Sequence, residues 1–186
     1  GARPGILKFG GWYDFGKFAD QRFDVHHGLQ AITGFDPLLH KGTYGIYGII
    51  DQVVYKKPGE DGGNISVFAR VIGSPSDRNQ INAYFDTGVV FTGMLPSRPN
   101  DVFGIGFAFT GISDRASDFD RDSGLSVIRD HEELIEISYT AEIVPGWTLQ
   151  PDFQYIWNPG ATVPDATGTR PIKDATVVGV RSTISF

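Results

Sequence analysis

Cysteine is absent from the 186 residues and methionine occurs once, which excludes disulfide scaffolds and thiolate metal sites. A long apolar run is missing too. Nowhere do the ~18 consecutive apolar residues of a membrane-crossing helix occur; the longest apolar stretch, 103–109, is interrupted by Gly104 and Gly106. Spanning helices are therefore excluded. Spanning strands are not, because their two faces alternate and their mean hydropathy stays ordinary. Positive charge is also scarce: 16 Lys and Arg against 22 Asp and Glu leave a net charge of −6. With no basic stripe to neutralise phosphates, nucleic acid is not expected as a partner. The opening Gly1-Ala2-Arg3-Pro4-Gly5 has neither the basic nor the apolar region of a secretory leader, so either a leader was removed or the true amino terminus lies elsewhere.

What is present points to strands. The chain holds 24 Gly, 14 Phe, 7 Tyr and 3 Trp, with two-residue alternation punctuated by Gly, Pro, Asp and Asn. Helical periodicity is hard to find. Eight strands are expected at about 5–13, 43–55, 64–73, 80–92, 101–111, 132–144, 147–157 and 174–186, most near the ~9–11 residues that a tilted membrane strand needs. In the fourth, Ile81, Ala83, Phe85, Val89 and Phe91 share a face opposite Asn82, Tyr84 and Asp86. In the sixth, Ile135, Ile137, Tyr139, Ala141 and Ile143 oppose Leu134, Glu136 and Ser138. In the seventh, Leu149, Phe153, Tyr155 and Trp157 oppose Gln150, Asp152 and Gln154. The second strand is ambiguous, since one face would put Gln52 toward lipid and the other Asp51; a bulge between Ile49 and Val53 is one resolution.

A soluble sandwich alternates as well, so three further features decide. Connections alternate between short (145–146) and long (112–131, 158–173), the arrangement of outer-membrane barrels; only 74–79 is shorter than its side implies. Aromatic residues gather at strand ends, Trp147 and Phe186 at one level and Trp157 and Trp12 at the other, where amphipathic rings sit at a bilayer interface. A final Phe186 in phase with Val178, Val180 and Ile184 is similar to the terminal strand signal of bacterial outer-membrane barrels. The expected fold is all-β, a transmembrane antiparallel barrel of about eight strands, with 1–186 a single region and no separate soluble domain.

Several stretches now resemble a known family, the carbohydrate-selective (OprB-type) porins. They are Gly10-Gly11-Trp12-Tyr13-Asp14, the run 44–55 with Asp51-Gln52, Val67-Phe68-Ala69-Arg70-Val71 and Ser74-Pro75-Ser76-Asp77-Arg78-Asn79. Glu136-Ile137-Ser138-Tyr139, the more specific Leu149-Gln150-Pro151-Asp152-Phe153-Gln154-Tyr155, and the closing run 179–186 join them. The likeness is weakest in 15–41 and 112–130. The resemblance implies a sixteen-stranded barrel of which this is the carboxy-terminal half, in a Gram-negative outer membrane, passing small sugars passively, with no enzymatic activity and no cofactor. It further implies a partner segment completing the cylinder, contact with outer-membrane lipid and lipopolysaccharide, and scope for a homo-oligomer. Alone, an eight-stranded barrel closes around a lumen that side chains fill.

A sugar pore needs hydrogen-bonding groups to replace water on hydroxyls, flat rings for pyranose faces, and binding weak enough for release. The polar faces offer Arg70, Tyr84, Asp86, Glu136, Asp152, Gln154 and Arg181 as pore-lining candidates, Arg70 and Arg181 foremost. A turn near Asp77 sets Arg70 opposite Tyr84 with Asp86 diagonal; a turn at Pro145-Gly146 brings Glu136 near Gln154 or Ile156. For any one of them, merely balancing lumen charge is the commoner role. Trp147, Trp157 and Phe186 are the expected interface anchors. Asp118, Asp120 and Asp122 in Asp-x-Asp-x-Asp-Ser-Gly are similar to a calcium loop, but Ser123 and Arg129 stand where that pattern wants Gly and an acid, so a solvated acidic loop is the better expectation and no metal site is assigned. His26, His27, His40 and His131 all fall in expected loops, without ligand spacing. Gly104-Ile105-Gly106 reads as a strand of small residues, since no helix follows to make a phosphate cradle. Competing readings are a structural or adhesive barrel without transport, a soluble lipocalin-like barrel with apolar faces inward, and a phospholipase-like barrel needing a Ser–His pair at a strand rim.

Overall fold

The computed structural model describes residues 3–59 and 62–186. Eight strands form one antiparallel sheet in sequence order: β1 Gly5–Asp24, β2 Pro37–Lys56, β3 Asn64–Gly73, β4 Ile81–Thr92, β5 Val102–Ile112, β6 His131–Val144, β7 Trp147–Trp157 and β8 Ala175–Ile184. β1 and β8 are its two edges. Side-chain alternation is carried in register from strand to strand. One row across one face reads Val67, Val89, Ile105, Ile137, Phe153, Val178. The adjacent row on the other face reads Phe68, Gly88, Gly106, Glu136, Gln154, Val177. One face is thus greasy and the other mixed and polar, as period-two patterning requires.

Among the described residues no dry interior lies between layers. The buried apolar residues are small or few (Ala116, Val127, Ala161), whereas Asp20, Asp24, Asp86, Asp101 and Asp120 are buried. Phe85, Ile137 and Phe153 are 38–40% exposed. A water-soluble sheet of this width would cover its apolar face with a second layer; this one leaves it bare, as a lipid-facing wall must.

The connections split by side. On one side lie 25–36, 74–80, 113–130 and 158–174; on the other lie 57–63, 93–101 and the tight 145–146 turn. Gly146 has φ +86°, a conformation that favours glycine, and its carbonyl accepts from Ser185 N at 2.7 Å. Strand β8 ends at Ile184, so Phe186 stands beyond the ladder.

Three expectations need correction. β1 and β2 are each 20 residues long, far beyond what a bilayer crossing uses, so much of 14–41 is strand rather than loop. That extension hid because Asp14, Lys17, Asp20, Arg22 and Asp24 leave it polar on both faces, as suits a hairpin standing in water. It bends through register shifts at Asp14/Lys17 and Ala19/Asp24. It also explains the short 74–80 connection, which packs against the hairpin: Gln21 N donates to Asp77 O at 2.9 Å, Arg78 to Gly42 O at 2.9 Å, and Asn79 Nδ2 to Thr43 Oγ1 at 2.8 Å.

Second, the 113–130 connection contains a helix, α2 (Asp114–Asp122), besides the one-turn α1 (Gln30–Thr33) and the irregular turn α3 (Pro159–Thr162). Ser113 caps α2, its Oγ accepting from Ala116 N at 3.1 Å, with Asp114 in the first turn and Arg121 in the last. The sequence Asp-Arg-Ala-Ser-Asp-Phe-Asp-Arg-Asp has no apolar stripe, so periodicity missed it. Third, β2 is resolved: Asp51 pairs with Phe68 on the polar face and Gln52 with Val67 on the apolar face, with the irregularity between Val53 and Tyr55 rather than between Ile49 and Val53. Gln52 avoids exposing its amide to lipid by donating to Val53 O and Pro4 O at 3.0 and 3.2 Å.

Candidate functional site

All seven expected lining residues sit on the polar face, and four of them line one cleft. Its volume is about 330 Å³. Gly104, Gly106 and Ala108 of β5 make the floor; Phe68, Arg70, Tyr84 and Asp86 form one wall and Leu134, Glu136 and Ser138 the other. The walls stand two strand spacings apart, about 10 Å backbone to backbone. Nothing in the fold compels those glycines. A Cβ on Gly104 would approach no nearer than 3.6 Å to Ser138 Oγ, and one on Gly106 no nearer than 3.8 Å to Thr87 O, both ordinary contacts. The floor is therefore open space rather than a packing necessity. Gly88 beside it is different: the Phe68 ring lies across it, where a Cβ would come within 2.6 Å.

The register differs from the expected one by two residues. Arg70 pairs directly with Asp86, and Tyr84 with Ile72, because the turn is centred one residue later than Asp77. A two-residue offset preserves the face, so the candidate set survives while its partners change. Arg70 Nε donates to Asp86 Oδ1 at 2.9 Å. Asp86 is 4% exposed, and Arg70 Nε lies 2.9 Å from its Oδ2 as well, an ion-pair contact that leaves Oδ2 without a hydrogen bond among the described residues. Glu136 pairs with Gln154 as the Pro145-Gly146 turn implies, Gln154 Nε2 donating to Glu136 Oε2 at 3.1 Å. Asp152 pairs directly with Ser138 on the neighbouring strand, and Arg181 lies a row further on, opposite Gln150 and exposed. The structure thus joins Arg70, Tyr84, Asp86, Glu136 and Gln154, with Asp152 adjacent and Arg181 apart.

Sequence reasoning missed Phe68, Gly104 and Gly106. The available signal was phase: both glycines fall on the polar face with Ala108, clearing one strand of side chains. It also misplaced Trp12. Trp12 pairs with Gly45, in phase with Tyr47 and Asp51 on the polar face, and its ring lies over Gly45. It is no lipid-facing anchor. Trp147 and Trp157 do lie on the apolar face at opposite ends of β7, Trp147 Nε1 donating to Ser182 Oγ at 3.0 Å.

Above the cleft a charged cap ties α2 to the β1–β2 extension. Arg22 bonds Asp118 at 2.6 Å and Asp122 at 2.7 Å. Buried Asp20 accepts from His40 Nε2 at 2.7 Å, from Arg115, and from the backbone N–H of Arg22 and Phe23 at 2.9 Å each. Asp120 pairs with Arg129 at 2.7 Å. The calcium pattern thereby receives another use: its three aspartates lie on a helix, each neutralised by arginine, and no metal-holding cluster occurs among the described residues. Two histidines prove to be in strands, His40 in β2 and His131 in β6; His40 meets a carboxylate rather than a serine.

A family model described as carbohydrate-selective porin, OprB family, matches residues 1–186. The chain belongs to that family. Porin B of Pseudomonas aeruginosa is 26% identical over 190 residues, covering 96% of this chain and 40% of that protein. A structure titled "High pH structure of Pseudomonas putida OprB" superposes with a TM-score of 0.87 at 24% identity, covering 99% of this chain and 45% of that one. At that identity the superposition speaks for the fold alone. The chain spans less than half the length of either relative. Membership places it in a family of outer-membrane porins of Gram-negative bacteria. In such porins the apolar face of the wall meets lipid and the polar face meets the aqueous lumen.

Proposed function

We propose that the chain supplies roughly half the wall of a sixteen-stranded pore through which small sugars diffuse passively, a second segment pairing with the free edges of β1 and β8. The supporting observation is the inverted polarity of one continuous sheet, bare and apolar on one face and furnished on the other with Arg70–Asp86 and Glu136–Gln154 beside Phe68 and Tyr84. Such a lining offers donors, acceptors and rings without a deep pocket. Net contributions of about 0.5–1.5 kcal/mol per hydrogen bond sum to roughly the −4 kcal/mol of millimolar affinity, weak enough for release. Trp147 and Trp157 anchor the wall at the two interfaces, where lipid and lipopolysaccharide are its neighbours. Asp152 and Arg181 line the lumen beyond the cleft and set its ion selectivity.

Liposome swelling tests this with the complete polypeptide that contains these residues. Vesicles carrying it swell in iso-osmotic glucose faster than protein-free vesicles. Equal rates would discard the transport reading and leave the purely structural barrel, which passes neither sugar nor appreciable current.

A further inference from the structure

A second recess lies on the opposite, apolar face, where the turn between β4 and β5 curls over the sheet. Phe91, Met94, Leu95, Asp101, Phe103 and Tyr139 line it, around a volume of about 330 Å³, the size of a small-ligand pocket. Phe91, Phe103 and Tyr139 pair across β4, β5 and β6, in phase with Val89, Ile105 and Ile137. The recess therefore opens on the greasy side of the wall. Its turn, 93–101, shares an end of the sheet with the 145–146 turn and Trp147, the periplasmic rim of an outer-membrane barrel.

The turn is held in place by its own bonds. Gly93 N donates to Asp101 O at 2.9 Å, and Leu95 and Arg98 bridge within it. Gly63 of the neighbouring turn packs so closely that a Cβ there would come within 2.4 Å of Gly93 O. Asp101, 4% exposed, accepts from Tyr139 Oη, from Glu142 N at 3.0 Å and from Arg98 Nε at 2.7 Å. Arg98 keeps a side-chain exposure of 39%, and a guanidinium has five N–H donors, so donors remain beyond Asp101. Glu142 lies on the polar face in phase with Glu136 and accepts from Asn100 Nδ2. The charge shown at the mouth of the recess is thus positive.

We propose that this recess holds one glycerophospholipid, an acyl chain seated between the aromatic rings and Leu95 and the phosphate on the Arg98 guanidinium. Acyl tails are as apolar as leucine, so retention comes from packing and the head group rather than from a hydrophobic difference. A methylene chain supplies the dispersion contacts that the rings would otherwise lack, and the charge-assisted bond to phosphate adds direction. Lipopolysaccharide belongs to the opposite leaflet, beside the long loops. The inference rests on the outer-membrane wall reading above for the face that meets lipid, and not on sugar transport.

The test is native mass spectrometry of the complete polypeptide in detergent, titrated with phosphatidylethanolamine or with diacylglycerol. One phosphatidylethanolamine is expected to be retained saturably. Leu95→Trp, on the exposed turn, fills the recess and is expected to raise the half-saturating concentration at least tenfold; Leu95→Ala gives a smaller rise where the tryptophan variant assembles poorly. Arg98→Gln is expected to weaken phosphatidylethanolamine about fivefold and leave diacylglycerol unchanged, a split that mere loosening of the turn would not produce. Val71→Ala, on the apolar face outside the recess, changes neither. Unsaturable uptake that is the same in every variant would mean ordinary annular lipid and overturn the site. Equal retention of the two lipids, with Arg98→Gln inert, overturns the phosphate contact. Displacement by lipopolysaccharide overturns the choice of lipid. Any of these with normal glucose-driven swelling leaves the pore reading standing, whereas a polypeptide soluble without detergent would bring down both.

Discussion

The sheet that crosses the membrane and the cap that stands above it are built from one chain by opposite rules. From β3 to β8 order comes from a period of two: every second residue lies on the bare apolar face, and polar ones between them pair with neighbouring strands on the other face, as Arg70 with Asp86 and Glu136 with Gln154. In the cap, formed by the β1–β2 extension, the 74–80 turn and α2, no apolar stripe exists. Arg22, Asp20, Arg115, Asp118 and Asp122 hold it together through charge-assisted hydrogen bonds. The wall is stabilised by which way side chains point, and the cap by which side chains meet. Lipid requires the first, since backbone groups there must be satisfied within the sheet; water permits the second.

The largest expected effect breaks the wall. Ile137→Arg places a charge in the middle of the row Val89, Ile105, Ile137, Phe153 and is expected to cost about 2–4 kcal/mol. It is read as loss of heat-modifiable barrel after folding into vesicles of the complete polypeptide. Ser138→Arg, one residue away on the lumen side, should lose much less. Equal losses would mean that the two faces are not distinguished by lipid.

Next in size is Asp20→Ala. It removes a buried carboxylate that His40, Arg115 and two backbone N–H groups address, and is expected to cost about 1–3 kcal/mol confined to the cap. Faster proteolysis within 113–130 with unchanged barrel assembly is the expected readout; lost assembly would show that cap and wall fold as one unit. Raising salt from 0.1 to 1 M shortens the screening length from about 10 to about 3 Å. Hydrogen exchange should then accelerate in α2 and not in β4–β6. An effect of comparable size in the strands would erase the contrast between the two regions.

The smallest effect is acid sensitivity of the 74–80 turn. Hydrogen bonds from Arg78, with the guanidinium's charge, hold the Asp77 carboxyl below its ordinary value. A depressed carboxyl stabilises the folded turn fully above the ordinary value near 4. That stabilisation disappears as pH falls through the lowered folded value. Asp77→Asn should therefore flatten the acid limb of exchange rates at Ser74 and Asn79, which exchange faster than in the parent at neutral pH and converge with it in acid, where Asp77 is itself protonated. An unchanged limb would remove Asp77 from the cap's electrostatics.

The same division explains what was legible in the sequence. β3 to β8 were found within a residue or two because lipid on one side enforces alternation. Arg70 and Asp86 were placed on the right face with the wrong partners, since face depends on parity and pairing on the turn. The outer halves of β1 and β2, where Phe15, Phe18, Phe23, Leu38 and Leu39 are interspersed with charges and the register shifts, and the whole of α2 left no regular apolar alternation to read. The cleft was missed for a subtler reason: its defining residues, Gly104 and Gly106, act by what they lack, and side-chain chemistry cannot be read from a hydrogen atom.

That floor also constrains how the protein is able to change. Glycine is the lower bound of residue size, so every substitution at 104 or 106 subtracts room and none adds it. Sequence drift at these positions runs one way, toward narrower passage, and only reversion to glycine restores the lost space.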